Sequence, residues 1–228
     1  MLMRNEWNET MLMDLYELTM ANGYWAGGHS QDLVAFDVFF RKNPDHGGYA
    51  IFAGLEQVLA YLENLHFSDQ DIAYIRSLNL FPESFLSYLT DFSFKGDVYA
   101  FPEGSVIYPN EPIMTIVAPL IDAQIIETFV LTQINHQSLI ATKAARVVRA
   151  AKGRGVADFG ARRAHNVDAA VYGARAAYIG GVNSTATVLA GQAFGIPVSG
   201  TMAHSWVMYH DSEYEAFKAY AELYPDNV

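Results

Sequence analysis

The segment after Gln124 restricts the possible folds more than any other part of this chain, because helical and strand-like stretches alternate there. A long run without Gly or Pro predicts one continuous helix over Glu127–Ala151, and two glycines soon after end it. The strand-like Val156–Phe159 comes next, followed by an alanine-rich stretch that predicts a helix over Asp168–Ile179. Repeated strand–helix units predict parallel strands with right-handed crossovers. The sequence therefore indicates an α/β fold.

The alternation continues towards the end of the chain. Ser184 is predicted to cap a helix over Thr185–Phe194, which Gly195 ends. A strand over Ile196–Ser199 follows, and a final amphipathic helix opens with a capping box at residues 212–215. A complete (β/α)8 barrel takes about 250 residues, so this segment has room for only about three units. The last residue, Val228, looks like the start of another strand, which predicts that the chain is the front part of a longer protein.

The first part of the chain has a different pattern. Leu33–Arg41 and Tyr49–Ala53 are apolar and β-prone, and a turn rich in Gly and Pro separates them, so a β-hairpin is predicted. Leu55–Leu65 has helical spacing, and Ser68 with Asp71 predicts a capping box for the next helix.

Short strands interrupted by Gly and Pro are predicted over Gly96–Pro119, as in a small barrel-sandwich. A biotinyl or lipoyl carrier would need a lysine at a hairpin tip, and this run has none. We therefore expect two domains without a carrier function. Residues 1–122 form an α+β domain, and residues 123–228 form the first part of an irregular, incomplete α/β barrel.

Charge and composition exclude several classes of function. A net charge of −11 argues against a general nucleic-acid binder, and the absence of cysteine excludes disulfides, thiolate nucleophiles and cysteine-bound zinc. No stretch reaches the ~18 apolar residues of a membrane span. The first twenty residues lack the order of a signal peptide, so a cytoplasmic protein is expected.

Half of the Lys and Arg residues nevertheless lie between Lys143 and Arg163. A local positive zone in an acidic protein suits a small anionic substrate. Lys143, Arg146 and Arg149 are explained equally well as cations near a helix C-terminus. That alternative does not suit Arg162 and Arg163, because they follow a predicted strand.

Three motifs follow the predicted strands. The run DFGARRAH, residues 158–165, presents an aromatic ring and two guanidinium groups at a strand end, although a surface arginine pair beside a core Phe159 is an equally open interpretation. The run GGVNST, residues 180–185, resembles an anion site ahead of a helix or an ordinary capped turn. The run GTMAHSW, residues 200–206, contains His204 between small residues, where a structural histidine is the alternative. The spacing of His204, His210 and Asp211 matches no zinc site.

Together and in this order, seven segments resemble nicotinate phosphoribosyltransferases. They cover nearly the whole chain from Asp14 and read DLYELTM, FDVFFRKNP, FAGLEQ, FPEGSVIYPNEP, DFGARRAH, GGVNSTATVLAG and GTMAHSWV. The resemblance implies an N-terminal α+β domain on an irregular α/β barrel, in a homodimer whose subunits share active sites. The implied reaction joins nicotinate to phosphoribosyl pyrophosphate with Mg²⁺ and gives nicotinate mononucleotide and pyrophosphate. ATP hydrolysis is coupled to it through phosphorylation of a histidine.

The resemblance also implies roles for individual residues. His204 is the phosphorylated histidine, and Phe159 stacks on the pyridine ring. Thr201 and Tyr16 contact nicotinate, the tyrosine from the partner subunit, and Arg162 faces the anionic groups. Three further residues are expected to bind substrate: Arg163, Asn183 and Ser184.

Nicotinamide and quinolinate phosphoribosyltransferases share this architecture and remain alternatives, as does a non-catalytic dimerising fragment. The GTMAHSW and FDVFFR segments favour nicotinate. Family members continue beyond Val228, so ligands for Mg²⁺ and phosphate are expected outside this chain. The chain alone is then expected to have little or no transferase activity.

Overall fold

A computed structural model describes residues 7–225, which form a mixed α/β structure of two compact units. The division falls between Thr142 and Lys143, inside one long helix, Glu127–Ala151. The predicted start of a strand at Val228 lies outside the described residues. Within residues 7–225, no helix has the length and apolarity needed to cross a membrane.

The first unit combines helices with two small antiparallel sheets. Its elements are α1 (Leu15–Ala26), β1 (Leu33–Val38), β2 (Ala50–Ile51), α2 (Leu55–Asn64), α3 (Asp69–Ser77), α4 (Glu83–Thr90), β3 (Asp97–Ala100), β4 (Val106–Ile107), β5 (Met114–Pro119), α5 (Leu120–Ile125) and the first part of α6 (Glu127–Ala151). The strand order is β1-β5-β3 in one sheet and β2-β4 in the other. This unit has the predicted α+β character.

The predicted hairpin between β1 and β2 is wrong. β1 pairs with β5, with Val38 opposite Met114, and β2 pairs with β4, with Ala50 opposite Ile107. The buried face of β5 explains the choice, because Met114, Ile116 and Ala118 are almost fully buried. A turn signal between two strands shows that the chain changes direction, but burial of apolar surface selects the partner strand.

Helix starts in the first unit follow local signals. α2 begins at Leu55 after Gly54, whose φ of 108° lies in the left-handed region. A Cβ at Gly54 would lie 2.8 Å from the backbone oxygen of Gln133, so close packing on α6 also requires glycine. The capping box of α3 is confirmed: the Ser68 amide donates to Asp71 Oδ2 at 2.8 Å, and the Asp71 amide donates to Ser68 Oγ at 3.2 Å.

The core of the first unit is aromatic and aliphatic. Phe85 of α4 is fully buried and contacts the rings of Trp25, Phe81 and Tyr88. The Tyr61 ring of α2 stacks on Phe129 of α6 with a centroid distance of 3.8 Å. These contacts join α1, α2, α4 and α6 around one apolar interior.

The second unit has the predicted strand–helix alternation. It contains the rest of α6, β6 (Ala157–Asp158), α7 (Val167–Ile179), β7 (Ser184–Thr185), α8 (Val188–Phe194), α9 (His204–Tyr209) and α10 (Glu213–Leu223). β6 and β7 are parallel, and Val198 adds a parallel bridge to Thr185. Parallel pairing is therefore confirmed, and the strands of residues 7–225 do not close into a barrel.

Two details of the second unit differ from prediction. Ser184 lies in β7 and does not cap a helix, because α8 begins at Val188 with Thr187 as its N-cap. The reason is that Thr185 is buried and pairs on both sides, with Asp158 and with Val198. Gly195, with φ 68°, ends α8 as predicted. Of the capping box predicted for α10, the structure has the Ser212 half: the Ser212 hydroxyl accepts from the Glu215 amide at 3.2 Å.

Candidate functional site

Three neighbouring parallel segments of the second unit end at the same edge. β6 ends at Asp158, β7 ends at Thr185, and the third segment pairs with β7 through Val198. Because parallel strands have their C-terminal ends on one side, the residues that follow them lie at one edge, where open α/β sheets bind ligands. Phe159, Arg162 and Arg163 follow the first strand, and Thr201 and His204 follow the third segment.

A tight turn presents Phe159 and the two arginines. The Asp158 carboxylate accepts from the Gly160 amide at 2.9 Å, and the Arg163 amide donates to the Gly160 carbonyl at 2.8 Å, closing a 3-10 turn. Arg162 and Arg163 are exposed, and 41% of Phe159 is accessible. This exposure excludes a core position for Phe159 and leaves its ring free to stack.

His204 is the exposed first residue of α9 and follows Ala203. Trp206, two residues later, donates from its indole nitrogen to the Ala216 carbonyl at 2.9 Å and joins α9 to α10. His210 is bonded through Nδ1 to the Trp206 carbonyl oxygen at 2.8 Å and contacts the indole ring. The two histidines therefore differ: His210 has a structural partner, and the ring of His204 is accessible.

Trp206 has a structural role that the motif around His204 did not predict. Its indole N–H needs an acceptor when the ring is partly covered. The Trp206 ring makes an edge-to-face contact with the ring of Tyr220 in α10, at a centroid distance of 6.0 Å. A tryptophan beside an exposed histidine thus fixes the helix that carries the histidine.

Asn183 and Ser184 have partners within the sheet. The Asn183 side-chain oxygen accepts from the Val156 backbone amide, and the Asn183 backbone amide donates to the Val156 carbonyl, both at 2.8 Å. Asn183 thus lies where β7 begins, at the edge opposite Phe159. The Ser184 hydroxyl pairs with the Ser199 hydroxyl at 2.6 Å. These bonds support strand pairing, and the anion-binding role of both residues stays a prediction.

Tyr16 belongs to the first unit, in the first turn of α1, and 42% of it is exposed. Burial of part of the side chain, followed by its hydrogen bond to the Glu127 carboxylate, raises the pKa of Tyr16 to about 12. Gln124 donates to the same carboxylate at 3.0 Å. The phenol is therefore neutral at ordinary pH. It is hydrogen-bonded to the Glu127 carboxylate, which the Gln124 side chain also holds in place.

Glu17, the next residue, is completely buried. Its Oε1 accepts from the Asp14 amide at 3.1 Å and from the Thr128 hydroxyl, which attaches the start of α1 to α6. Its Oε2 has no hydrogen-bond partner. Burial raises the pKa of Glu17 above its usual value, because loss of water disfavours the carboxylate.

This shift predicts a pH-dependent stability. The folded state keeps the Glu17 proton at pH values where the unfolded chain has lost it, so the free energy of unfolding falls as pH rises from about 4.5 to the raised pKa. Glu17→Gln cannot ionise and lacks this decrease. We expect the stability of the original protein relative to E17Q to fall with rising pH and then level off, in urea unfolding at several pH values.

Glu63→Gln changes an exposed carboxylate of the same unit and serves as the control. The raised pKa of Asp122, also caused by burial, is present in every variant and cancels in the comparison. A stability difference between the original protein and E17Q that stays constant or grows with pH would contradict the assignment.

Two family models match most of the chain. The N-terminal domain model of nicotinate phosphoribosyltransferase (NAPRTase) matches residues 11–135, and the NAPRTase family model matches residues 155–223. The chain belongs to the nicotinate phosphoribosyltransferase family. Tyr16 lies in the first matched region of this family member, and the segments that carry Phe159 and His204 lie in the second.

Relatives of this nicotinate phosphoribosyltransferase family member support the same assignment. A nicotinate phosphoribosyltransferase of Mycobacterium tuberculosis is 53% identical over 94% of this chain and 46% of its own length, and that of Bacillus subtilis is 48% identical over 94% and 44%. The crystal structure of human nicotinic acid phosphoribosyltransferase superposes with a TM-score of 0.81 at 36% identity, covering 87% of this chain and 41% of the human chain. The chain thus spans about half the length of the relatives it matches.

Proposed function

We propose that this protein acts as a nicotinate phosphoribosyltransferase in NAD salvage, as a cytoplasmic homodimer. It joins nicotinate and phosphoribosyl pyrophosphate to give nicotinate mononucleotide and pyrophosphate, with coupled ATP hydrolysis. One observation carries the proposal: in a chain of this family, an exposed aromatic ring, two exposed arginines and an exposed histidine follow neighbouring parallel segments at one edge.

The exposed groups suit nicotinate, which is a flat ring with a carboxylate. The face of Phe159 can stack on the pyridine ring, worth about 0.5–1.5 kcal/mol beyond simple burial. A guanidinium group donates two parallel hydrogen bonds to a carboxylate or phosphate, and Arg162 and Arg163 supply two such groups. The Thr201 hydroxyl adds a donor, and Tyr16 is proposed to reach the ring from the partner subunit.

The reaction needs charge stabilisation more than proton transfer. The pyridine nitrogen is already a nucleophile, so it forms the bond to the ribose C1 without a general base. The bond between C1 and the pyrophosphate oxygen breaks, and the electron pair leaves with pyrophosphate. Cationic groups placed beforehand stabilise this leaving charge. Arg162 and Arg163 are the cations that the strand-end edge provides.

His204 is proposed to accept the terminal phosphate of ATP on a ring nitrogen, with ADP as the leaving product. Its accessible ring and small neighbours, Ala203 and Ser205, leave room for the phosphate. By analogy with phosphorylated hydroxyls, the group adds about −1.5 to −2 charges, which attract basic residues. Hydrolysis of this phosphate would couple ATP to the transfer.

Magnesium is the further cofactor that the family resemblance implies. Among residues 7–225 no group of three or more His, Cys, Asp or Glu side chains is arranged to hold a metal ion. Asp158, the acid at the strand-end edge, has both carboxylate oxygens bonded within the protein. These residues offer no preformed cage of protein ligands for magnesium, so no step of the mechanism is assigned to the metal here.

The proposed reaction is tested with the protein purified at its native length, together with phosphoribosyl pyrophosphate, ATP and each of three acceptors. We expect nicotinate mononucleotide from nicotinate, with little product from nicotinamide or quinolinate, measured by chromatography. Faster use of quinolinate or nicotinamide would assign the protein to those related enzymes. Calorimetric binding of nicotinate without any turnover would instead indicate a non-catalytic module.

A further inference from the structure

Asp158 has no role in the reaction proposed above, yet both of its carboxylate oxygens accept hydrogen bonds at the strand-end edge. Oδ1 accepts from the Gly160 amide at 2.9 Å, and Oδ2 accepts from the Thr185 hydroxyl at 2.9 Å. One side chain therefore joins the turn that carries Phe159 to the neighbouring strand β7.

Thr185 is a rigid anchor for this bond. It is 1% exposed, its amide donates to the Pro197 carbonyl at 3.0 Å, and its carbonyl accepts from the Ser199 amide at 3.1 Å. Its hydroxyl oxygen also accepts from the Thr187 amide at 3.1 Å. These bonds orient the Thr185 hydroxyl so that it donates its hydrogen bond to Asp158.

The backbone of Phe159 is held on both sides. Before it, the Asp158 carbonyl accepts from the Ala186 amide at 2.8 Å. After it, the Gly160 amide is bonded to the Asp158 carboxylate, and the Gly160 carbonyl accepts from the Arg163 amide at 2.8 Å. The Asp158 carboxylate is therefore one of the groups that fix the backbone beside Phe159, where the turn with Arg162 begins.

We propose that Asp158, anchored by the Thr185 hydroxyl, is a positioning residue that sets the Phe159 ring and the Arg162 turn for an aromatic carboxylate substrate. This inference rests on the proposed function. Charge-assisted hydrogen bonds are stronger and shorter than neutral ones and so restrict the turn more firmly. Small displacements of substrate-contacting groups reduce enzyme activity steeply.

Three variants separate positioning from simple support of the fold. Thr185→Val removes the hydroxyl with little change of shape, and so removes both the bond to Asp158 and the acceptor of the Thr187 amide. Thr185→Ser keeps the hydroxyl. Asp158→Asn presents an amide to one of its two donors and leaves the Thr187 bond in place, so a defect shared by T185V and D158N comes from the Asp158 bond. Asp69→Asn, at an exposed carboxylate of α3, is the matched control. Thermal unfolding of each variant shows whether it is folded before kinetics are measured.

We expect T185V and D158N to raise the KM for nicotinate about tenfold, because a charged hydrogen bond is lost from the turn. The KM for phosphoribosyl pyrophosphate should rise less than that for nicotinate, because the turn carries both Phe159 and Arg162 for nicotinate but only Arg162 for the pyrophosphate group. T185S and D69N should behave like the original protein. An unchanged nicotinate KM in T185V, or equal defects in T185S and T185V, would overturn the proposal.

Hydrogen exchange of the Gly160 amide distinguishes failure of this inference from failure of the proposed function. Faster exchange in T185V than in T185S supports the anchor whether or not the protein turns over nicotinate. If the anchor is present but the original protein neither binds nor converts nicotinate, the proposed function and the substrate role of Asp158 both fail. If nicotinate is converted and Gly160 exchange is equal in both variants, only the anchor is wrong.

Discussion

Replacement of His204 by alanine is expected to abolish transfer of the terminal phosphate of ATP to this protein. His204 is exposed between small residues at the start of α9, so a nucleotide can approach its ring. His210, four residues after Trp206, is already bonded to the carbonyl of that tryptophan and is a weaker candidate. A neutral imidazole nitrogen is a competent nucleophile for phosphoryl groups.

The measurement is incorporation of labelled phosphate from ATP into the purified protein, followed by acid treatment, which removes phosphate from histidine. His165→Ala is the matched control, because His165 is also exposed and lies near the same arginines in the sequence. We expect full labelling in H165A and none in H204A. The ATP-dependent part of nicotinate turnover should disappear with the label, and an ATP-independent rate should remain.

Labelling that persists in H204A and disappears in H165A would move the phosphorylation site to the DFGARRAH segment. Labelling of both variants at the original level would exclude a histidine in either position. Circular dichroism of H204A should match that of the original protein, because the exposed ring makes no contribution to the core.

The sequence predicted those parts of the fold that depend on local signals. α6 has the predicted bounds because no Gly or Pro interrupts it, and Ser68, Ser212 and Gly195 act at helix ends as expected. Parallel pairing of β6 and β7 follows from strand–helix alternation, which allows few other connections. The strand-end location of Phe159 follows from the same alternation.

Features that depend on distant partners could not be predicted. The partner of β1 is β5, about eighty residues away, and no local turn encodes that choice. Ser184 has the residue type of a helix cap, but pairing of Thr185 on both sides extends the strand and shifts the cap to Thr187. The bond between Asp158 and Thr185 joins residues that are separated by a whole helix.

The structure also bears on the origin of the positive zone between Lys143 and Arg163. Arg149 lies in the last turn of α6, where attraction to the helix C-terminus is a sufficient explanation, but Lys143 and Arg146 lie before that turn, so the explanation is weaker for them. Arg162 and Arg163 lie in a separate 3-10 turn at the strand-end edge, outside any α-helix. Helix charge does not account for these two, which is consistent with the proposal that they bind a ligand anion.

Arg162 is therefore expected to have the largest kinetic effect of any arginine in the chain. Arg162→Ala should lower kcat/KM for nicotinate by about 10²–10³-fold, as removal of one donor to a developing charge does in other enzymes. Arg162→Lys keeps the charge but loses the planar fork, so its activity should lie between those of R162A and the original protein. Steady-state kinetics with nicotinate and with phosphoribosyl pyrophosphate as the varied substrate give both values.

Arg154→Ala provides the matched control, because Arg154 is exposed in the same unit and follows α6, away from the strand ends. Removal of a distant exposed charge should change kcat/KM by less than about twofold at physiological salt, where charges beyond about 8 Å are screened. If R162A and R154A lose activity equally, the positive zone acts only through its general field. If R162K is as active as the original protein, charge alone is sufficient and bidentate recognition by Arg162 is wrong.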